Sequence, residues 1–240
     1  MTKAGTIFIT GAGRGLGRAM ALHLAGKQTR LLLHYGSSAR GARETADEAQ
    51  AKGAEVVLLQ ADLANPEARA TMMKQAAEAG GGRLRLMINN AAVYPEAGLL
   101  ETTPEQWNRT MEINCNAVFH LTTLALPMLR KGAPSRVINL GDSGADRVVA
   151  RLEAVPYHAA KLGVHLLTRS FAKALTGEGI TVNMISPGFM ENSVGEPPTS
   201  IPAGRTGRFE DVLGALDYLL SDRAGYVSGA NIVVSGGWNI

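Results

Sequence analysis

Cysteine is almost absent, with Cys115 the only one in 240 residues. A lone thiol cannot form an intrachain disulfide, so a disulfide scaffold is excluded and a reduced, cytoplasmic compartment is expected. Aromatic residues are few, at 5%, and charge is modest, at 19%. The 24 basic and 21 acidic residues nearly balance, which argues against disorder and against a charged tail. The pI of about 9.1 rests on a net excess of three charges, scattered along the chain, so no nucleic-acid partner is expected. Long apolar runs are missing as well. The opening MTKAGTIFIT is too short in apolar residues for a secretory leader. No window approaches the ~20 apolar residues of a membrane span. His34, His120, His158 and His165 lack metal-ligand spacing, so no metal is expected. Glycine is abundant, at 28 residues, and its placement matters most.

Short β-branched or leucine-rich runs alternate with longer helical patterns. Strands are predicted at 6–10, 30–35, 55–60, 84–89, 136–140, 180–185 and 231–235, and helices at 15–27, 40–52, 66–79, 104–131, 156–176 and 209–221. Pro127 is expected to bend the end of the fourth helix. The strands are continuously apolar, which implies burial on both faces. Strand–helix alternation then implies right-handed crossovers and a parallel sheet. The expectation is an α/β fold: one doubly wound, Rossmann-type domain over 1–240, with seven parallel strands flanked by helices. Its ligand should lie beyond the carboxyl ends of the strands. The stretch 186–207, SPGFMENSVGEPPTSIPAGRTG, is too long for an ordinary connection and reads as a functional loop.

The first strand runs into TGAGRGLG, Thr10 to Gly17. Gly11, Gly13, Gly15 and Gly17, with Arg14 and Leu16 between them, allow a tight turn and close backbone approach to a pyrophosphate. The helix that follows offers its first amides to that charge. The spacing is G-x-x-x-G-x-G rather than G-x-G-x-x-G. After the second strand the chain reads HYGSSARGAR, with no carboxylate until Glu44. A carboxylate there would suit the ribose of NAD. Tyr35, Ser37, Ser38 and Arg40, with Arg14 opposite, suit a 2′-phosphate instead, although each alone is equally a solvated turn residue. NADP(H) is therefore the expected cofactor.

In YHAAK, Tyr157 and Lys161 stand four apart and share a helix face. An ammonium beside a phenol favours the phenolate and fits the tyrosine for proton transfer. Alone, such a pair arises by accident. Here it follows TGAGRGLG, Asp62-Leu63, NNAA at 89–92 and Asn114, and precedes SPG at 186–188. In this order the motifs resemble the short-chain dehydrogenase/reductase family over essentially the whole chain. The ending SDRAGYVSGANIVVSGGW is similar to that family's last helix, loop and strand.

The resemblance implies residue roles. Tyr157 would protonate a substrate oxygen as hydride reaches the adjacent carbon. Lys161 would hold the nicotinamide ribose and lower the tyrosine pKa, and Asn114 would fix a water linking Lys161 to solvent. Asp62 and Leu63 would line the adenine pocket. Asn90, Ala91 and Ala92 would border the central sugars, and Pro187 and Gly188 the nicotinamide. Relatives form dimers and tetramers, implying a homodimer or homotetramer built on 104–131, 156–176 and the last strand.

The family's usual serine past strand five is where this chain departs. NLGDSGADR puts Asp142 and Ser143 there, 15 and 14 residues before Tyr157. An ionised aspartate cannot donate to a carbonyl oxygen. Asp142 would have to be protonated, meet a cationic or amide-like group, or leave the role to Ser143. Aspartate at this place, LHYGSS and Tyr94 resemble the pteridine reductases, although Gly15 stands where those enzymes carry arginine. In the substrate loop, Phe189, Met190 and Asn192 are candidate specificity residues. The leading expectation is NADPH-dependent reduction of a small or carrier-bound carbonyl compound in the style of 3-oxoacyl reductases. The alternatives are pteridine or dihydrofolate reduction, and an NADP-binding sensor without catalysis.

Overall fold

The computed structural model describes residues 5–193 and 200–239. The 194–199 portion of the 186–207 loop lies outside the described residues. Seven strands build one sheet: β1 (Gly5–Ile9), β2 (Thr29–Tyr35), β3 (Glu55–Gln60), β4 (Leu86–Asn89), β5 (Ser135–Leu140), β6 (Ile180–Pro187) and β7 (Asn231–Val234). Their order is β3-β2-β1-β4-β5-β6-β7, and every pairing is parallel. The winding direction reverses between β1 and β4, where this fold leaves a crevice for its ligand.

Successive strand side chains point to opposite faces. Ile7, Ile9, Leu31, Leu33, Ile88 and Ile138 meet one core, which includes Met20, Ala21 and Leu24 of α1 (Gly15–Leu24) and Val212, Leu216 and Leu219 of α7 (Phe209–Leu220). Ala49 of α2 (Ala39–Ala51) joins that core. Phe8, Leu32, Met87, Val137 and Val182 meet the other. There α3 (Pro66–Ala79), α5 (Ala117–Gly132) and α6 (Val155–Leu175) supply Met72, Leu121 and Leu175 among others. Burial on both faces is why the strands read as continuous apolar runs.

The helix predicted over 104–131 is three pieces. These are α4 (Pro104–Met111), a π turn over Glu112–Asn116, and α5. Thr103 opens α4 with a capping box shared with Gln106. Pro127 lies inside α5, which continues to Gly132. The fourth strand starts at Leu86 rather than at 84.

A polar row crosses this interior. Asn89 Nδ2 donates to Asn139 Oδ1 at 2.8 Å and to Thr122 Oγ1 at 3.3 Å. Asn139 Nδ2 donates to Thr168 Oγ1 at 2.9 Å. All four side chains are buried, so each bond is formed where water cannot substitute for it. The row ties the ends of β4 and β5 to α5 and α6.

Candidate active site

The candidate residues collect beyond the carboxyl ends of the strands. β1 ends at Ile9, and Gly11 turns the chain with φ +67°, a region that favours glycine. Thr10 fixes the turn to the exit of β4. Its Oγ1 accepts from the amides of Asn90 at 2.9 Å and Ala91 at 3.0 Å. The Asn90 carboxamide returns a bond to the Thr10 carbonyl at 2.8 Å and to that of Gly11 at 3.2 Å. A Cβ at Gly17 would lie 2.2 Å from the Gly11 carbonyl oxygen, so only glycine lets α1 start this close.

The residues fit a phosphorylated dinucleotide. The first turn of α1 contains no acid, and no side chain caps it, so its amides are free to meet an anion. Arg14 is exposed at that end. The exit of β2 offers Tyr35, Ser37 and Ser38 and no carboxylate; Glu44 is engaged by Arg40 at 2.8 Å. Arg40 itself is largely exposed. Asp62 is held by Arg109, with contacts at 3.1 and 3.3 Å, and by the Ala64 amide at 3.0 Å. The Ala64 bond first, then Arg109, keep its carboxyl below the usual range. Leu63 turns its side chain into the core. Ala91 packs partly against the core, whereas Ala92 is exposed.

Tyr157 stands in the first turn of α6, which follows Ala154 in the left-handed region (φ 48°) and has Pro156 at its start. That proline suits the first turn of a helix. Lys161, one turn on, is buried; its Nζ donates to the Leu140 carbonyl at 2.7 Å and lies 5.5 Å from the Tyr157 ring centroid. Burial pulls the Lys161 pKa down to about 8, against the opposing charge of Asp142. The expected depression of the Tyr157 pKa is corrected. Burial, followed by the negative charge of Asp142, pushes the phenol up. Tyr157 is thus held in its proton-bearing form at neutral pH.

Asp142 acts on the tyrosine through its charge. Its Oδ2 accepts from the Gly144 amide at 3.1 Å and lies 3.7 Å from Nδ1 of His158. Burial works against its charge, but His158, the Gly144 amide and Lys161 outweigh it and hold the carboxyl below its ordinary range. A protonated Asp142 is therefore excluded as the donor. Ser143 is buried, and Asn239 Nδ2 approaches its Oγ at 3.4 Å. Its hydroxyl thus has a partner in the C-terminal tail.

Asn114 is buried within the π turn. Its Oδ1 accepts from the Val93 amide at 2.9 Å, and its Nδ2 donates to the Val93 carbonyl at 2.8 Å. It therefore braces the loop that leads to Tyr94. Tyr94 packs edge-on against Tyr157, with centroids 5.0 Å apart. Pro187 accepts the Ser143 amide at 3.1 Å, and Gly188 donates to Val234 at 2.9 Å. Phe189 meets Trp238 edge-on. Met190 is buried in the core beside α7. Asn192 leans over the glycine loop, its Nδ2 2.8 Å from where a Gly15 Cβ would stand.

Sequence reasoning passed over Trp238 and Asn239 and weighed His158 only as a metal ligand. His158 adjoins Tyr157, which was a signal. Nothing local marks Asn239, whose partners Ser143 and Arg147 lie more than ninety residues back.

A parallel doubly wound sheet, with a glycine loop at its switch point and a Tyr/Lys pair one helical turn apart, defines a nicotinamide-nucleotide oxidoreductase. The profile of the family described as Enoyl-(Acyl carrier protein) reductase matches residues 11–239. The chain is 31% identical to 3-oxoacyl-[acyl-carrier-protein] reductase FabG of Staphylococcus aureus over 246 residues, 99% of this chain and 98% of that protein. It is 32% identical to a short-chain type dehydrogenase/reductase of Picea abies, over 95% of this chain and 90% of that one. A Burkholderia cenocepacia short chain dehydrogenase solved in complex with NADP superposes with a TM-score of 0.90 at 26% identity, covering 100% of this chain and 99% of the other. This chain belongs to the short-chain dehydrogenase/reductase family.

Proposed function

We propose that this chain is an NADPH-dependent reductase that delivers hydride to a ketone carbonyl, on a small molecule or a carrier-bound acyl group. The observation that carries the reading is Tyr157, held protonated, one turn from a buried lysine and at the same end of the sheet as the glycine loop. When bound, NADPH supplies the hydride. Tyr157 donates its proton to the oxygen of the reduced carbonyl. Lys161, largely cationic at neutral pH with its pKa near 8, favours the phenolate that remains.

Thr10, Gly11, Gly13, Gly15, Leu16, Gly17 and Asn192 surround the pyrophosphate in this reading. Tyr35, Ser37, Ser38, Arg40 and Arg14 take the 2′-phosphate. Asp62 and Leu63 border the adenine, Asn90 to Ala92 the central sugars, and Pro187 and Gly188 the nicotinamide. Asp142 accepts a hydrogen bond from a hydroxyl, amine or amide of the substrate near the reacting carbon. Relatives named for 3-oxoacyl reduction support a carbonyl rather than a pteridine substrate. The presence of both Tyr157 and Lys161 favours an enzyme over a sensor. Exposed Phe119 and Leu166 on α5 and α6 suit a homodimer or homotetramer, checked by light scattering. A reducing cytoplasm suits the free Cys115.

The test is oxidation of NADPH and of NADH with 3-oxoacyl thioesters, keto esters, diketones and dihydropteridines. Turnover of the first three with NADPH preferred is expected, and Tyr157→Phe should lose at least about a hundredfold in kcat, the scale of general-acid catalysis, while still binding NADPH. A Tyr157→Phe variant as active as the wild type would refute the assignment.

A further inference from the structure

The glycine loop has a brace that no motif announces. His34, next to the last residue of β2, is 2% exposed. Its imidazole stands between two loops of the nucleotide site. The Gly11 amide donates to Nδ1 at 3.1 Å. With Nδ1 accepting, the neutral ring carries its proton on Nε2, which lies 3.1 Å from the Ala61 carbonyl. The His34 carbonyl also accepts from the Ala12 amide at 2.9 Å. One residue thus fixes two consecutive members of the glycine loop and the chain just before Asp62.

The bond to Gly11 exists in one protonation state only. A second proton would sit on Nδ1 and face the Gly11 N–H donor to donor. Burial favours the neutral ring and pulls its pKa below the ordinary 6.5; Asp62 opposes this. Asp62 is in turn held by Arg109 of α4. From the glycine loop the groups facing the ring are backbone, and that loop's one cation, Arg14, is exposed to solvent.

We propose that His34 is a positioning residue for the cofactor: neutral and protonated on Nε2, it holds the glycine loop in the shape that receives the pyrophosphate, and so couples cofactor affinity to pH. The proposal rests on the cofactor reading above. The test is the dissociation constant of NADP+, measured by calorimetry between pH 7.5 and 5.0, for the wild type, His34→Asn and His34→Leu. Asparagine keeps an acceptor near the Nδ1 position and does not titrate. The 2′-phosphate also gains a proton near pH 6, equally for every protein. Over this range the wild-type constant should rise about tenfold more than that of His34→Asn, the worth of one hydrogen bond. His34→Leu should bind about tenfold more weakly at pH 7.5.

Parallel pH curves for wild type and His34→Asn would overturn the proposal and leave the cofactor reading standing. No binding of NADP+ or NADPH at pH 7.5 would overturn both. A measurement free of variants is the NMR titration of His34 in the wild type. By reciprocity, bound cofactor should lower the midpoint, and an unmoved midpoint would overturn the proposal.

Discussion

Replacing Lys161 by methionine removes a buried ammonium from a site that desolvates it. The native pKa of about 8 lies below the ordinary 10.5. At 1.36 kcal/mol per pH unit, keeping the charge in the folded protein at pH 7 costs about 3 kcal/mol. Methionine removes that cost but orphans the Leu140 carbonyl, which takes back about 1 kcal/mol or more. The pH dependence separates the two. Between pH 8 and 10.5 the native lysine has shed its proton while the unfolded one keeps it. The unfolded state then binds more protons, so wild-type stability rises with pH across this window. Tyr157, raised by burial, stays neutral throughout. Urea unfolding of both proteins at pH 7 and pH 10, at one protein concentration, reads the difference. The stability of Lys161→Met relative to wild type should fall by about 2 to 3 kcal/mol from pH 7 to pH 10. A difference that stays flat, or grows, would refute the claim that the site desolvates this lysine. Catalysis should be lost in the same variant, as expected where a working charge is kept at the expense of stability.

Other substitutions test other parts of the site. Asp142→Ser replaces a fixed acceptor by a hydroxyl that can donate to a carbonyl oxygen. It should raise kcat/KM for simple ketones lacking a hydrogen-bond donor by about tenfold; unchanged or lower values would exclude the role given to Asp142. Gly17→Ala drives a methyl into the Gly11 carbonyl. It should cost about 1–3 kcal/mol in stability and weaken NADPH binding, read by thermal melting and nucleotide fluorescence. Asn139→Ala breaks the buried polar row. It should destabilise the fold by about 2–3 kcal/mol by removing one buried partner each from Asn89, which keeps Thr122, and from Thr168, which keeps the Val164 carbonyl, measured by urea unfolding.

Much of this was legible in the sequence because it depends on local periodicity. Runs such as RLLLHY and RVINL can only be strands covered on both sides, and alternation with helices dictates parallel pairing. The glycine loop, Asn90, Tyr157 and Lys161 were legible because each motif sits on one turn or one strand exit. The π turn at Glu112–Asn116 was not, since one extra residue in a helical turn leaves the polarity pattern of 104–131 nearly unchanged. Met190 and Asn192 look alike in an irregular loop. Only the packing of α7 and the nearness of Gly15 part them. The choice between Asp142 and Ser143 depends on His158 and Asn239, partners brought by the fold from elsewhere in the chain. His34 showed its identity but not its tautomer, which is set by Gly11 and Ala61.

The polar row Asn89–Asn139–Thr168 has a consequence for how freely the rest of the interior can vary. Apolar contacts hold layers together without preferring one sliding position over the next, whereas a short row of amide and hydroxyl partners accepts only one alignment. The row lies directly beneath Asn90 on one strand and on the helix that carries Tyr157 and Lys161. Volume-conserving exchanges among Leu121, Met128 and Val137 can therefore loosen or tighten the core without moving the proton donor relative to the nucleotide loop. In this chain the ruler that spaces the two halves of the site is kept apart from the filling that stabilises it.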